Sequence, residues 1–192
     1  MPRALVVFES MFGNGHRVAE LVAEGLRAAG CETDVVPVAD APSSPEVDLL
    51  VVGGPTHALG MSRASTRASR PAHVATDEDR ARADGEPRAD SGPGVREYLR
   101  RLRIPTGLAV GAYDTRVNTT VPAGASRGIA RRITALGGEL VTSAQGFPVL
   151  AVTGPLAEGV EERARAWGGE LGVALTERAQ STVNDSPAAR RA

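Results

Sequence analysis

ALVVFESMFGNGHRVAELV, residues 4–22, runs from strand to glycine loop to helix, and this succession decides how the remaining residues are read. Ala4 to Phe8 is a short apolar, β-branched run suited to a strand buried on both faces. Ser10 to Gly15 turns, and from Asn14 onward Val18, Leu21, Val22 and Leu26 recur at helical spacing. The first N–H groups of such a helix have no partners within it. Together with the positive end of the helix dipole they favour a phosphate or another anion. Gly13 and Gly15 allow close backbone approach. The loop lacks the Gly-Lys-Ser/Thr ending of the lysine-bearing phosphate loop and the G-x-G-x-x-G of the dinucleotide fold.

Val6, Val7, Phe8, Ser10, Gly13, Ala19 and Val22 instead resemble the phosphate signature of the flavodoxin family: an apolar pair, an aromatic, a hydroxyl residue, a small residue three on, and a helix with a spaced alanine. The resemblance implies FMN as cofactor, its phosphate held by Ser10, Met11, Phe12, Gly13, Asn14 and Gly15. Phe12 and Gly15 depart from the pattern, because most flavodoxins place hydroxyl residues there. The tryptophan-repressor-binding-protein type of NAD(P)H:quinone oxidoreductase has a similar Ser-Met-aromatic-Gly loop. On this reading a threonine at position 15 is expected to tighten FMN binding.

The remaining pattern alternates strands and helices, with strands at Thr33 to Val38, Val47 to Val52, Gly107 to Tyr113 and Leu140 onward. Helices are expected at Val95 to Leu102, Ala125 to Leu136 and Glu158 to Leu175. Only Ala39 to Glu46, with two prolines, separates the second strand from the third, so that crossover is too short for a full helix. Such alternation implies an α/β fold with a parallel sheet and right-handed crossovers. The flavodoxin resemblance adds a three-layer sandwich with a five-stranded sheet in the order 2-1-3-4-5. Ligands of such sheets bind at the carboxyl ends of the strands, near the switch between the first and third.

Two further loops are expected at that edge. Gly53-Gly54-Pro55-Thr56-His57-Ala58-Leu59-Gly60 is similar to the flavin-ring loop of the family, which implies ring contacts from Pro55, Thr56 and His57. His57 has three readings there: stacking on the ring, donating a hydrogen bond or proton as the catalytic group, since an ordinary imidazole titrates near ~6.5, or a solvent-facing loop histidine. Gly111-Ala112-Tyr113-Asp114-Thr115-Arg116 corresponds to the loop over the flavin's pyrimidine side. The resemblance implies Tyr113 beside the ring, hydrogen bonds from Asp114 and Thr115, and charge balance from Arg116. The alternative for this last pair is an Asp-Arg ion pair that fixes the turn.

The chain has 192 residues, 42% of them apolar, and a formal net charge of -1, which suits one domain with a single core. Its 22 Lys and Arg residues are all Arg, a bias that is not read as nucleic-acid binding. Met1 to Arg3 lacks a signal peptide's apolar region, and no run reaches the ~18 apolar residues of a membrane span, so a cytoplasmic address is expected. Cys31, the only cysteine, reads as structural, and Trp167 fits the buried stripe of Ala164, Leu171 and Leu175. Histidine and cysteine spacing gives no metal site. Met61 to Gly94 is polar and rich in Arg, Ser, Asp, Pro and Gly; a lid or a partner surface is open to it, but disorder is the favoured expectation. Residues 1–178 are taken as the domain and 179–192 as a disordered tail.

The functional expectation is an FMN-dependent oxidoreductase that takes electrons from a reduced nicotinamide or a reductase and passes them to a quinone-like acceptor. The partner is then a small-molecule acceptor or a redox partner protein, and a homo-oligomer is allowed for. Two alternatives stay open, an electron carrier for a specific enzyme and a flavin-free descendant binding another anionic ligand or acting as a non-redox enzyme.

Overall fold

A computed structural model describes residues 1–57, 60–86, 89, 91–117 and 124–184. Strand β1 (Arg3–Phe8) lies between β2 (Glu32–Pro37) and β3 (Leu49–His57), parallel to both, with Val6 opposite Val35 on one side and Val51 on the other. β5 (Ala109–Val117) pairs in parallel with β3. The order β2-β1-β3-β5 ends in two short strands, β6 (Glu139–Leu140) and β7 (Gln145–Val149), which pair in succession with the first and second halves of β5. The expected 2-1-3-4-5 arrangement is therefore present, with its fifth position split. A two-residue strand, β4 (Gly60–Met61), folds back antiparallel on β3, so the described sheet has seven strands rather than five.

Successive side chains of a strand point to opposite faces, and the core divides accordingly. Ala4, Val6 and Phe8 of β1 with Leu49 and Val51 of β3 pack under α1 (Asn14–Ala28) and α6 (Val160–Asn184). Leu5 and Val7 with Leu50 and Val52 pack on the other face, under α4 (Val95–Arg101) and α5 (Ala125–Ala135). Three layers result. α1 and α6 cross closely because each has a glycine at the contact: a Cβ on Gly25 would overlap the Arg165 carbonyl, and one on Gly168 the Val22 carbonyl. Trp167 is 2% exposed and belongs to this core, donating its indole N–H to Thr142 Oγ1 at 2.8 Å. Cys31 is buried, and burial pushes its thiol up.

The connection from β2 to β3 has no helix, as its length required. Its carbonyls are satisfied from α4 and the segment after it: Arg101 donates to Val38 and Ala41, Tyr98 Oη to Pro42, and the Arg103 N–H to Ser43. Burial pushes the Tyr98 phenol up to about 12.

Two expectations need correction. Within 61–94, the residues expected to be disordered include α2 (Ala64–Arg67), a 3-10 turn (Arg70–His73) and α3 (Asp77–Asp84), with Ser62, Arg67, Arg70 and Glu86 buried. These buried side chains are polar, so their ordering gives no apolar signal. The last helix also runs beyond 178 to Asn184, and the expected tail from 185 onward lies outside the described residues.

Candidate active site at the carboxyl ends of the strands

Gly13 adopts φ 86° and begins α1 with no side-chain cap, while the Gly13 N–H donates to Ser10 Oγ at 3.0 Å. Only a residue without a Cβ takes that left-handed conformation at no steric cost. The helix therefore starts without a side-chain cap, over a turn tightened by Ser10. Neighbours fix the loop from below. Tyr113 Oη donates to the Gly15 carbonyl at 3.0 Å, and Asn14 Nδ2 to the Gly154 carbonyl at 2.6 Å. A Cβ on Gly15 would stand 2.5 Å from the Glu9 carbonyl oxygen, closer than real Cβ atoms come. The glycine that departs from the flavodoxin pattern is thus required by the packing of this loop.

β3 and β5 overrun the sheet, pairing as far as Pro55 with Thr115, and so raise the walls of a cleft. Its volume is about 330 Å³. The phosphate loop contributes Ser10, Met11, Phe12, Asn14 and Gly15, β3 contributes Pro55, Thr56 and His57, and β5 contributes Thr115, Arg116 and Val117. His57 is half-buried, and burial, followed by Arg67 and His73, lowers its pKa, so its imidazole is neutral at pH 7. Thr56 Oγ1 accepts from the Ala125 N–H at 2.8 Å, which leaves its own proton to donate.

Tyr113 and Asp114 do not line this cleft. Tyr113 is fully buried beneath the phosphate loop, edge-on to Phe147 and Trp167, because Gly53 on the adjacent strand leaves the space its ring fills. Its expected place beside a ring is corrected to a support under the loop. Asp114 is also fully buried, its Oδ2 accepting from the Ser126 N–H at 2.7 Å at the start of α5. Arg116 Nε lies 2.9 Å from Asp114 Oδ1, the ion pair that the alternative reading anticipated. Ala58 and Leu59 of the flavin-ring loop lie outside the described residues.

Sequence reasoning missed the contribution of the insertion. Thr66, Ser69, Arg70 and His73 line the same cleft, as do Val149 and Val152 after β7. The insertion is fastened to the end of β1 through Glu9, which accepts from Ser62 Oγ at 2.5 Å and from the Val95 N–H at 2.7 Å. Arg67 reaches Ser62 Oγ at 3.2 Å and Glu97 at 3.1 Å. Burial raises the Glu9 pKa. Glu9 directly follows the strand, a position from which sequence alone gave no hint of a partner 53 residues away.

The flavodoxin family model matches residues 6–89, a span that holds the phosphate loop, the His57 loop and most of the insertion. Over that span the chain is similar to the flavodoxin family. Its structure is similar to that of a flavodoxin from the domain Archaea (15% identity, 91% of this chain and 99% of that one, TM-score 0.60). It is similar also to oxidised flavodoxin 1 from Bacillus cereus (16% identity, 88% and 96%, TM-score 0.58). A third likeness is to the flavodiiron protein from Giardia intestinalis (18% identity, 93% of this chain and 37% of that one, TM-score 0.59). At these identities the structural likenesses speak for the fold. No curated protein sequence matches.

FMN is the cofactor of the flavodoxin family, and the residues present fit it. An uncapped helix N-terminus over Gly13, with no atom within 4 Å of where a Cβ would stand, is a cradle for a phosphate. Ser10, Met11, Phe12, Asn14 and Gly15 of the same loop line the cleft, which reaches His57, Thr115 and Val152 and so offers both polar and apolar groups to a ring of mixed polarity.

Proposed function

We propose that this chain, similar to flavodoxins, is an FMN-dependent oxidoreductase passing electrons from a reduced nicotinamide or a reductase to a quinone-like acceptor. The observation that carries this reading is the convergence of three loops on one cleft at the carboxyl ends of β1, β3 and β5. When bound, FMN supplies the electron-accepting ring. The protein's part is to hold and orient. Ser10 to Gly15 hold the phosphate with backbone amides and the Ser10 hydroxyl. Thr56 has a hydroxyl proton to donate, and His57, kept neutral by burial, has one ring N–H to donate and one nitrogen to accept. His57 is the group in this reading that moves a proton at the ring edge. Val117 and Val152 at the cleft suit an apolar acceptor.

Loading the protein with FMN and following flavin absorbance under NADH or NADPH, then under added quinone, tests this proposal. Bleaching by the nicotinamide and recovery with quinone are the expected results. Flavin that neither nicotinamide reduces and no quinone reoxidises would refute it. A carrier role is the second reading, favoured by Val117, Leu150 and Val152, which are 38%, 65% and 50% exposed near the cleft and suit docking by a partner protein. It would show as stable flavin binding with slow turnover of every small acceptor.

A further inference from the structure

We propose that Arg70, brought by the insertion, takes over part of the phosphate recognition that the loop lost when Phe12 and Gly15 replaced hydroxyl residues; this rests on the FMN reading above. Arg70 is 8% exposed, lines the cleft, and donates from Nε to the Met11 carbonyl at 3.0 Å and from Nη2 to the Ala83 carbonyl. Its guanidinium carbon lies 5.8 Å from the centre of the Phe12 ring. The residue that displaced one hydroxyl is therefore the platform for a cation, within the distance at which such pairs attract. The other position cannot regain a hydroxyl, since the Glu9 carbonyl excludes any Cβ on Gly15. Charge from outside the loop is the remaining way to strengthen the cradle, and a guanidinium held against Met11 delivers it there.

The charge of the cleft agrees. Arg70, Arg116, His57 and His73 line it, and no carboxylate does among the described residues. Glu86 lines a neighbouring depression with Gly13 and Asn14, where its Oε1 lies 3.1 Å from His16 Nδ1, and Asp114 is paired with Arg116. The consequence is selectivity for a phosphorylated flavin over the same flavin without phosphate.

Titrating the full chain with FMN and with riboflavin, by quenching of flavin fluorescence, tests this inference. The unaltered protein is expected to bind FMN at least ~10-fold tighter than riboflavin, a difference of ~1.4 kcal/mol. Arg70→Gln is expected to weaken FMN by about that factor and leave riboflavin unchanged, so that riboflavin itself reports an intact cleft. Arg70→Lys, which keeps the charge without the planar fork, is expected to retain an FMN preference and carries the test if the Gln variant does not fold. Equal weakening of both flavins would make Arg70 a latch for the insertion and overturn the inference. So would an FMN preference unchanged in Arg70→Gln or absent from Arg70→Lys. Binding of neither flavin by the unaltered protein would instead remove the FMN reading on which the inference stands.

Discussion

A methyl group added at Gly15 meets the Glu9 carbonyl, and this contact reverses the engineering suggestion that a motif comparison makes. Gly15→Thr, expected from the family pattern to tighten FMN, is now expected to weaken it. Gly15→Ala alone should cost about 1–3 kcal/mol of stability, the usual range for overpacking, read from the denaturation midpoint. Two histidines give a second prediction at this scale. The hydrogen bond that His16 donates to Glu86 raises the pKa of His16, whereas burial lowers that of His57. Following the imidazole protons by NMR against pH should place the His16 midpoint above the ordinary ~6.5 and the His57 midpoint below it. The linkage signs are opposite. The stability His16 contributes is complete below ~6.5 and disappears as pH rises through its folded midpoint; that of His57 is complete above ~6.5 and declines as pH falls through its own. Coincident midpoints at the ordinary value would contradict both assignments.

Among the elements, α1 depends on α6 and on the insertion for its position, and each dependence has a residue that tests it. Gly168→Ala forces a methyl group into the Val22 carbonyl, so the helices must separate, with a loss of about 1–3 kcal/mol and an altered phosphate loop. Glu9→Ala leaves Ser62 Oγ and the Val95 N–H without their acceptor and deprives Arg67 of a nearby charge. A loss of about 3 kcal/mol is expected, with faster proteolysis within residues 62–86 while the sheet stays protected. Uniform protection would show that the insertion does not hang on Glu9. The strands were legible in the sequence because Val6, Val51 and Val110 sit in short apolar runs, and α1 because its buried residues recur at helical spacing. The insertion was not, because what orders it is a set of buried polar pairs, Glu9 with Ser62 and Arg70 with Met11, that join residues far apart in the chain. Composition cannot distinguish such pairs from a solvated segment.

Over the whole molecule, the phosphate loop and the His57 loop were readable because each follows directly from a strand end, where topology alone brings them to one edge. Tyr113 and Asp114 were misplaced by the same rule, since β5 continues past them to Val117 and they are buried within its length. The insertion adds Thr66, Ser69, Arg70 and His73 to the strand-end cleft, and among the described residues no helix is long and apolar enough to cross a membrane. All of this converges on one claim, that the cleft between Ser10 and Arg116 holds FMN. The direct test is the visible spectrum of the freshly purified protein, followed by titration of its colourless fraction with FMN. Flavin bands on purification, or saturable binding at micromolar concentration or below, equivalent to ~8 kcal/mol or more, is the result predicted. A colourless protein that FMN does not saturate at that concentration would contradict the account and leave the fold serving another anionic ligand.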